Sequence, residues 1–415
     1  EGESDSRDGE AGVHVKVNAR GRQVATWGWQ FQVNVDEDGF IHAQTVTPGN
    51  DHEIRSWEGL LTGGEAALYA DAACSAAETR RRLAARGIAD QVQRKGYRSY
   101  AVSTLRGGVG KSTITFNLAY ELAQQRSLLL ADMCAQCNLT ENLMREQEPE
   151  VTVLETLQPI LLGPAFGTAP SDASYRVSTY CDSFKMAKPS FLMPGNAELF
   201  AFPSMLYQQL QTAHAQKNVA AVKALLESLK TAMDKEAAEK KTDGILIDTS
   251  PFYAGGTHLA WCAADAVIIP VRVDEHSLES LELTLDLLDN PTKDFGVWND
   301  RAGGRAGPRV AAIVMTMVGS KSQLRATPDR ASRMYIERAI SIAERHANLF
   351  DYDDPAKAFV VTDDFVSAGR ISGAKSIPIS KLKIGSFHSV EGKRLQVNSS
   401  AQRYQREIAY LVSIL

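Results

Sequence analysis

Residues 12–47 alternate between apolar and polar side chains. Val13, Val15 and Val17 form one apolar row, and Trp27, Trp29, Phe31, Val33 and Val35 form another. Asp36-Glu37-Asp38-Gly39 is a turn signal after the second row. A period of two predicts strands, so this stretch reads as a small antiparallel sheet; Trp27 and Trp29 could form a partner-binding surface, but alternating aromatics favour the sheet's core. Residues 48–64 carry Gly and Pro and read as loop. Residues 65–95 read as helix, broken near Gly87.

From residue 98 the pattern changes. Residues 98–104 predict a strand, followed by a glycine loop and a helix from Lys111 to about Gln125. Strand-length apolar runs follow at 127–132, 244–249, 266–271, 310–315 and 358–361, with helical patterns between several of them, such as 278–288 and 330–347. Strands alternating with helices predict an α/β fold with a doubly wound, mostly parallel sheet. Two stretches break the rhythm: 163–200 looks loop-rich, and 204–241 looks helical and ends in the charged run KEAAEKK.

Composition narrows the class. The 415 residues are 44% apolar and 23% charged, which suits a folded chain of two or three domains. The formal net charge of −5 argues against a protein that coats nucleic acid over its whole surface, but leaves room for a local basic patch. The five cysteines, Cys74, Cys134, Cys137, Cys181 and Cys262, are too few for a secreted disulfide framework and fit a reducing cytoplasm. No apolar run reaches the ~18 residues that a membrane span needs. Residues 1–11 are expected to be disordered or tag-derived, 12–97 to form a β-plus-helix domain, and 98–415 to form the α/β domain.

Residues 105–113 read LRGGVGKST between a predicted strand and a predicted helix. Phosphate groups need a concave row of backbone N–H donors, and Gly107, Gly108 and Gly110 allow the backbone angles that build one around Val109. The N-terminus of the helix beginning at Lys111 adds positive potential. Lys111 would neutralise the outer phosphates, Ser112 would hold Mg²⁺, and Thr113 completes the loop. The general pattern G-x-x-x-x-G-K-[ST] fails only at its first position, which is Leu105.

The run RGGVGKSTITFNLAYELA resembles the deviant Walker A loop and first helix of the ParA/MinD P-loop ATPases. DMCAQCNLT, from Asp132 to Thr140, resembles the family's switch segment, and DGILIDTSP, from Asp243 to Pro251, its Walker B strand. ADAVIIPVRVDEHSLESL, IVMTMVGSKSQL and SIPIS continue the match in order, so the resemblance spans about 98–415. It implies an ATP-dependent, dimerising switch ATPase for partitioning or positioning DNA or a protein cargo, closest to the ParA-type proteins. It also implies ATP and Mg²⁺ as cofactors, Asp248 with Ser112 as metal-binding residues, a role for Asp132, and a partner protein that stimulates hydrolysis. The expected location is the cytoplasm, on the nucleoid if DNA is bound.

Two departures bear on mechanism. The lysine by which family members reach the partner's nucleotide falls at Arg106, which keeps the charge but changes the geometry. The switch carboxylate that helps position the attacking water falls at Cys134, and a thiol is a poor acceptor. ATP binding with slow hydrolysis is therefore the expectation, and a hydrolysis-poor ATP-binding scaffold is the first alternative. Cys134 and Cys137 form a C-x-x-C pair, half of a tetrahedral metal site, which makes a dimer-bridged electron-transfer centre the second alternative.

Residues 366–415 carry Arg370, Lys375, Lys381, Lys383, Lys393, Arg394, Arg403 and Arg406 against Glu391 and Glu407, a surface that could meet DNA phosphates. In the last helix Tyr404, Ile408, Leu411 and Leu415 share one face. MinD-like proteins put such a helix on a membrane; here the spacing favours packing on the sheet.

Overall fold

In this computed structural model the described residues are 12–17, 23–35, 41–48, 57–63, 67–70, 82–83, 85–86, 88–92, 96–145, 147–319, 328–352, 354–363 and 365–415. They fall into two compact units, Glu1–Gly96 and Tyr97–Leu415.

The first unit contains the antiparallel sheet that the alternation predicts. Strands β1 (Gly12–Val17), β2 (Gln23–Val35) and β3 (Ile41–Pro48) pair in the order β1-β2-β3. Phe31, Val33 and Val35 point outward, Phe31 being 62% exposed, beside Ile41 and Val46 of the neighbouring strand. The half-buried row is Gln32 and Asn34, and the Asn34 amide donates to the carbonyl of Leu60 at 2.9 Å. The 3₁₀ turn Trp57–Leu60 thus lies on the polar side of β2, where amide side chains can satisfy its carbonyls. The side chains of Val13, Val15, Val17, Trp27 and Trp29, and the Asp36–Gly39 turn, lie outside the described residues. The helix predicted over 65–95 is corrected at its two ends, where Ala67–Ala70 (β4) and Ala89–Val92 (β5) pair as parallel strands; four-residue runs are too short to show a period in sequence. Residues 82, 83 and 85 are helical, and 71–81 lie outside the described residues.

The second unit is built on an eight-stranded sheet. Its strands are β6 (Ser99–Val102), β7 (Leu128–Met133), β8 (Tyr175–Arg176), β9 (Ser190–Met193), β10 (Gly244–Thr249), β11 (Ala266–Arg272), β12 (Arg309–Thr316) and β13 (Phe359–Val361). Their order is β13-β12-β11-β6-β10-β7-β9-β8, and every pair is parallel except the edge pair β8/β9. The central strands are buried at every position because helices cover both faces, and their polar residues lie at the ends. Ala101, Leu129, Ala131, Ile245 and Ile247 enter one hydrophobic cluster, while Tyr100, Val102, Leu128, Leu130 and Leu246 enter the other. Alternate residues of the same strands thus feed opposite layers.

Helix α1 (Lys111–Ala123) fills the second cluster. The supposedly loop-rich stretch holds β9, a four-residue run between Pro189 and Pro194, which joins the main sheet beside β7. The helix-like stretch resolves into Phe202–Ala215, Val219–Leu226 and Ser228–Lys240. The C-terminal helix Ala401–Ile414 buries Tyr404, Ile408 and Leu411, so its apolar face belongs to the core as expected. No helix among the described residues is long and apolar enough to cross a membrane.

Candidate functional site

Strands β6, β7 and β10 are parallel, so their carboxyl ends bring Leu105–Thr113, Asp132–Thr140 and Asp248–Pro251 to one edge of the sheet, where α/β folds bind ligands. Gly108 and Gly110 have φ of 73° and 90°, left-handed values that a side chain would strain. Gly110 is the residue immediately before α1, so the loop runs directly into the helix N-terminus. Val109 is buried, and its carbonyl accepts the Thr316 hydroxyl at 3.1 Å, fixing the loop to the end of β12.

Four side chains converge behind the loop. The Ser112 hydroxyl donates to Asp248 at 2.7 Å, and the Thr115 hydroxyl donates to the other carboxylate oxygen at 2.9 Å. Asp248 is fully buried at the end of β10, and burial raises its pKa against the pull of these two hydroxyls and of Lys111. The Lys111 ammonium donates to the carbonyl of Arg106 at 2.8 Å, so lysine and loop close on each other. Burial lowers the lysine's pKa, and Asp248 and Cys134 oppose that shift. A hydroxyl and a carboxylate side by side are hard oxygen donors of the kind that Mg²⁺ takes when phosphates complete its shell. The residues fit that ion.

Thr115 carries no motif signal, yet it lies one helical turn beyond Lys111, whose carbonyl its hydroxyl also approaches at 3.0 Å. Helical spacing was the only clue available for it.

The switch segment is arranged differently. Asp132 is fully buried, and its carboxylate accepts from the Cys134 N–H at 3.0 Å, the Thr140 N–H at 2.9 Å and the Thr140 hydroxyl at 2.8 Å. Burial and the charge of Asp248 raise its pKa. Gly195, after β9, passes so close that a Cβ there would lie 3.1 Å from the Asp132 carboxyl carbon. Asp132 therefore clamps its own loop and the start of the helix Asn138–Met144. Cys134 is buried with its thiol pKa pushed up by that burial, and Cys137 takes a left-handed φ of 52° just before the same helix. Among the described residues no group of three or more His, Cys, Asp or Glu side chains gathers as a metal site.

Arg106 does not join the lysine. Its guanidinium bonds Asp274 at 2.7 Å, at the start of the helix Glu275–Asp289. On the far side of Gly110, a cavity of about 310 Å³ is lined by Val109, Thr113, Thr316, Met317, Asp363 and Arg370, among others. Asp363 is ion-paired to Arg403, and Glu407 accepts from the Asp363 N–H at 3.1 Å. Arg403 is thus engaged inside the fold and drops out of the predicted basic surface. Arg370, Lys381, Lys383, Lys393, Arg394 and Arg406 are exposed, whereas Lys375 is half-buried.

A glycine loop between a parallel strand and a helix, with a buried strand-end aspartate behind it, defines a P-loop domain. Residues 97–295 match the family model described as an AAA domain. The chain is 28% identical over 194 residues to an uncharacterised protein of Pseudomonas putida, covering 46% of this chain and 61% of that one. It is 26% identical over 197 residues to the maintenance of carboxysome distribution protein A of Gloeothece citriformis, covering 47% and 65%. It therefore spans less than two thirds of the length of these curated relatives. An ATP complex of McdA from Cyanothece shares the fold, with a TM-score of 0.52 and 18% identity over 77% of this chain and 96% of that one. The chain has a P-loop fold and is similar to these positioning and partition ATPases over that fold.

Proposed function

We propose that the chain is an ATP-binding switch ATPase that dimerises on ATP and positions or partitions a cargo. The observation that carries this reading is the cluster of Lys111, Ser112, Thr115 and Asp248 behind the loop Gly107–Gly110. It supplies a buried cation for phosphate, backbone N–H groups for the α- and β-phosphates, and a hydroxyl–carboxylate pair for Mg²⁺. The ion, when bound, would spread the charge of the phosphates. Lys111 would exchange the Arg106 carbonyl for a phosphate oxygen. The cavity beyond Gly110 would take the base and sugar, with Thr113 and Thr316 at its wall.

Two subunits would meet face to face across their nucleotides, each sending Arg106 to the other's phosphates. Likeness to a carboxysome distribution protein supports a positioning role; a DNA region or a protein assembly are the cargo classes. Exposed Lys383, just before the hairpin Phe387–Gln396, and exposed Lys393 and Arg394 within it offer a phosphate-binding surface for non-specific DNA. A partner protein would stimulate hydrolysis, and the cycle would run in the cytoplasm.

Slow basal hydrolysis follows from Cys134, which is neutral near pH 7 and cannot orient water as a carboxylate does. The same observation favours one second reading, a scaffold that binds ATP and scarcely cleaves it. Light scattering with Mg²⁺ and ATP tests the main reading: a monomer-to-dimer shift is expected, and a monomer under every nucleotide condition removes it. For the DNA surface, Lys383→Glu with Lys393→Glu should abolish an ATP-dependent, salt-sensitive gel shift while ATP affinity stays constant; equal binding by the variant rejects that surface.

A further inference from the structure

Arg106 is the residue on which the face-to-face dimer depends, yet in this chain it is tied down twice. Its backbone carbonyl accepts from the Lys111 ammonium at 2.8 Å. Its guanidinium bonds a carboxylate oxygen of Asp274 at 2.7 Å, with both side chains a little under one-third exposed. An arginine cannot serve a partner's phosphate and Asp274 with the same N–H groups, since both ligands demand the same fork.

Asp274 is well placed to give the arginine up. Its Oδ1 also accepts from the Ser277 N–H at 3.0 Å, capping the helix Glu275–Asp289. Its Oδ2 lies 3.4 Å from the Arg272 Nε. After Arg106 leaves, the carboxylate still has a cation and a helix N-terminus beside it, so it is not left buried and unpaired. The first tether is the one that nucleotide removes, because phosphate is the stronger ligand for Lys111. Binding of ATP would thus free the backbone of Arg106 while Asp274 still holds its side chain.

We infer that Asp274 is an intramolecular latch that competes with the partner's nucleotide for Arg106 and sets the threshold for dimerisation. The latch rests on the dimer reading above. It makes assembly depend on two subunits that both carry nucleotide, since each Arg106 needs a phosphate across the interface to outbid its own Asp274.

The test measures the dimer dissociation constant by sedimentation with saturating Mg²⁺ and ATP, on the full chain and three variants. Asp274→Asn keeps the helix cap, because asparagine caps as well as aspartate, but removes the charge. It should tighten the dimer about 10-fold, from about 3-fold per subunit for a partly exposed pair, counted twice in a symmetric dimer. Its ATP affinity as a monomer should stay constant. Arg106→Ala should weaken the dimer, and adding Asp274→Asn to it should change nothing further. Asp274→Ser, which also caps, serves if the asparagine variant folds poorly.

The outcomes separate the two ideas. If Arg106→Ala dimerises as well as the parent, the arginine-bridged dimer fails. If Arg106→Ala weakens the dimer but Asp274→Asn leaves it unchanged or weaker, the latch alone is overturned, and Asp274 is then a positioning residue that aims Arg106. An equal gain from Asp274→Asn in both backgrounds also overturns the latch, because the effect would not pass through Arg106.

Discussion

The phosphate loop and the switch segment leave the same edge of one sheet, two strands apart, and spend their polar groups in opposite ways. Behind the loop, Ser112 and Thr115 present hydroxyls to Asp248, all in reach of an ion or a phosphate. In the switch segment the Asp132 carboxylate is occupied by three donors of its own loop, and the next polar position is the buried thiol of Cys134. On the proposed reading, one region holds the nucleotide while the other holds itself and carries a thiol where the resemblance expects a carboxylate. The contrast teaches that binding and cleavage of ATP could be separated in such a site, because different strand ends would supply them.

The largest expected effect lies on the loop side. Lys111→Ala removes the buried cation facing the phosphates and should weaken ATP binding by about 10³-fold or more in a calorimetric titration. Unchanged affinity would break the comparison at its stronger half. Asp132→Ala comes next and should act on stability rather than binding. It leaves the N–H groups of Cys134 and Thr140 without their acceptor, at a cost of about 2–4 kcal/mol by denaturant unfolding, partly offset by relief of the repulsion with Asp248. An alanine variant as stable as the parent, with nucleotide affinity lost instead, would mean that Asp132 faces the ligand.

Cys134→Asp restores the family's carboxylate. Single-turnover ATP cleavage should rise about 10- to 100-fold, less than a general base can contribute, because Ala135 and Cys137 also shape the loop. A slow parent with no gain in the variant favours the scaffold reading.

The smallest effect concerns the loop after Asp248, where Tyr253 stacks on the fully buried His258 at a centroid distance of 5.3 Å. Burial lowers the His258 pKa to about 3, from 6.5. The unfolded chain therefore takes up a proton between those values that the folded chain refuses. Stability should be whole above about pH 6.5 and fall as pH drops toward 3, by about 2 kcal/mol for this group between pH 7 and 5. His258→Leu should flatten that slope in unfolding titrations from pH 7 to 5, and an unchanged slope would assign the acid sensitivity to other groups.

The P-loop was legible residue by residue, because glycines, lysine and hydroxyls stand consecutively and their chemistry depends on short spacing. The strands 244–249 and 266–271 were equally plain, since burial on both faces leaves a continuous apolar run. Strand β9 was not, because four residues between prolines show no period, and its place beside β7 depends on pairing far along the chain. The outward direction of Phe31, Val33 and Val35 was not legible for a related reason: alternation reveals two faces of a sheet but not which one is covered.

Sequence alone determined the order of motifs, the class of fold and the proposed ligand chemistry, because each is written in local spacing and side-chain type. Tertiary structure decided what each charged group does. Asp132 and Asp248 look alike as strand-end aspartates, yet one is consumed by Thr140 and Cys134 while the other faces Ser112. Arg106 and Arg403 both look like free cations, yet Asp274 holds one and Asp363 the other. These partners lie from 2 to 168 residues apart in the chain, and most of them far beyond any local motif. No local pattern encodes such pairings; they arise only when the parallel sheet brings its strand ends to a single edge and the helices close around it.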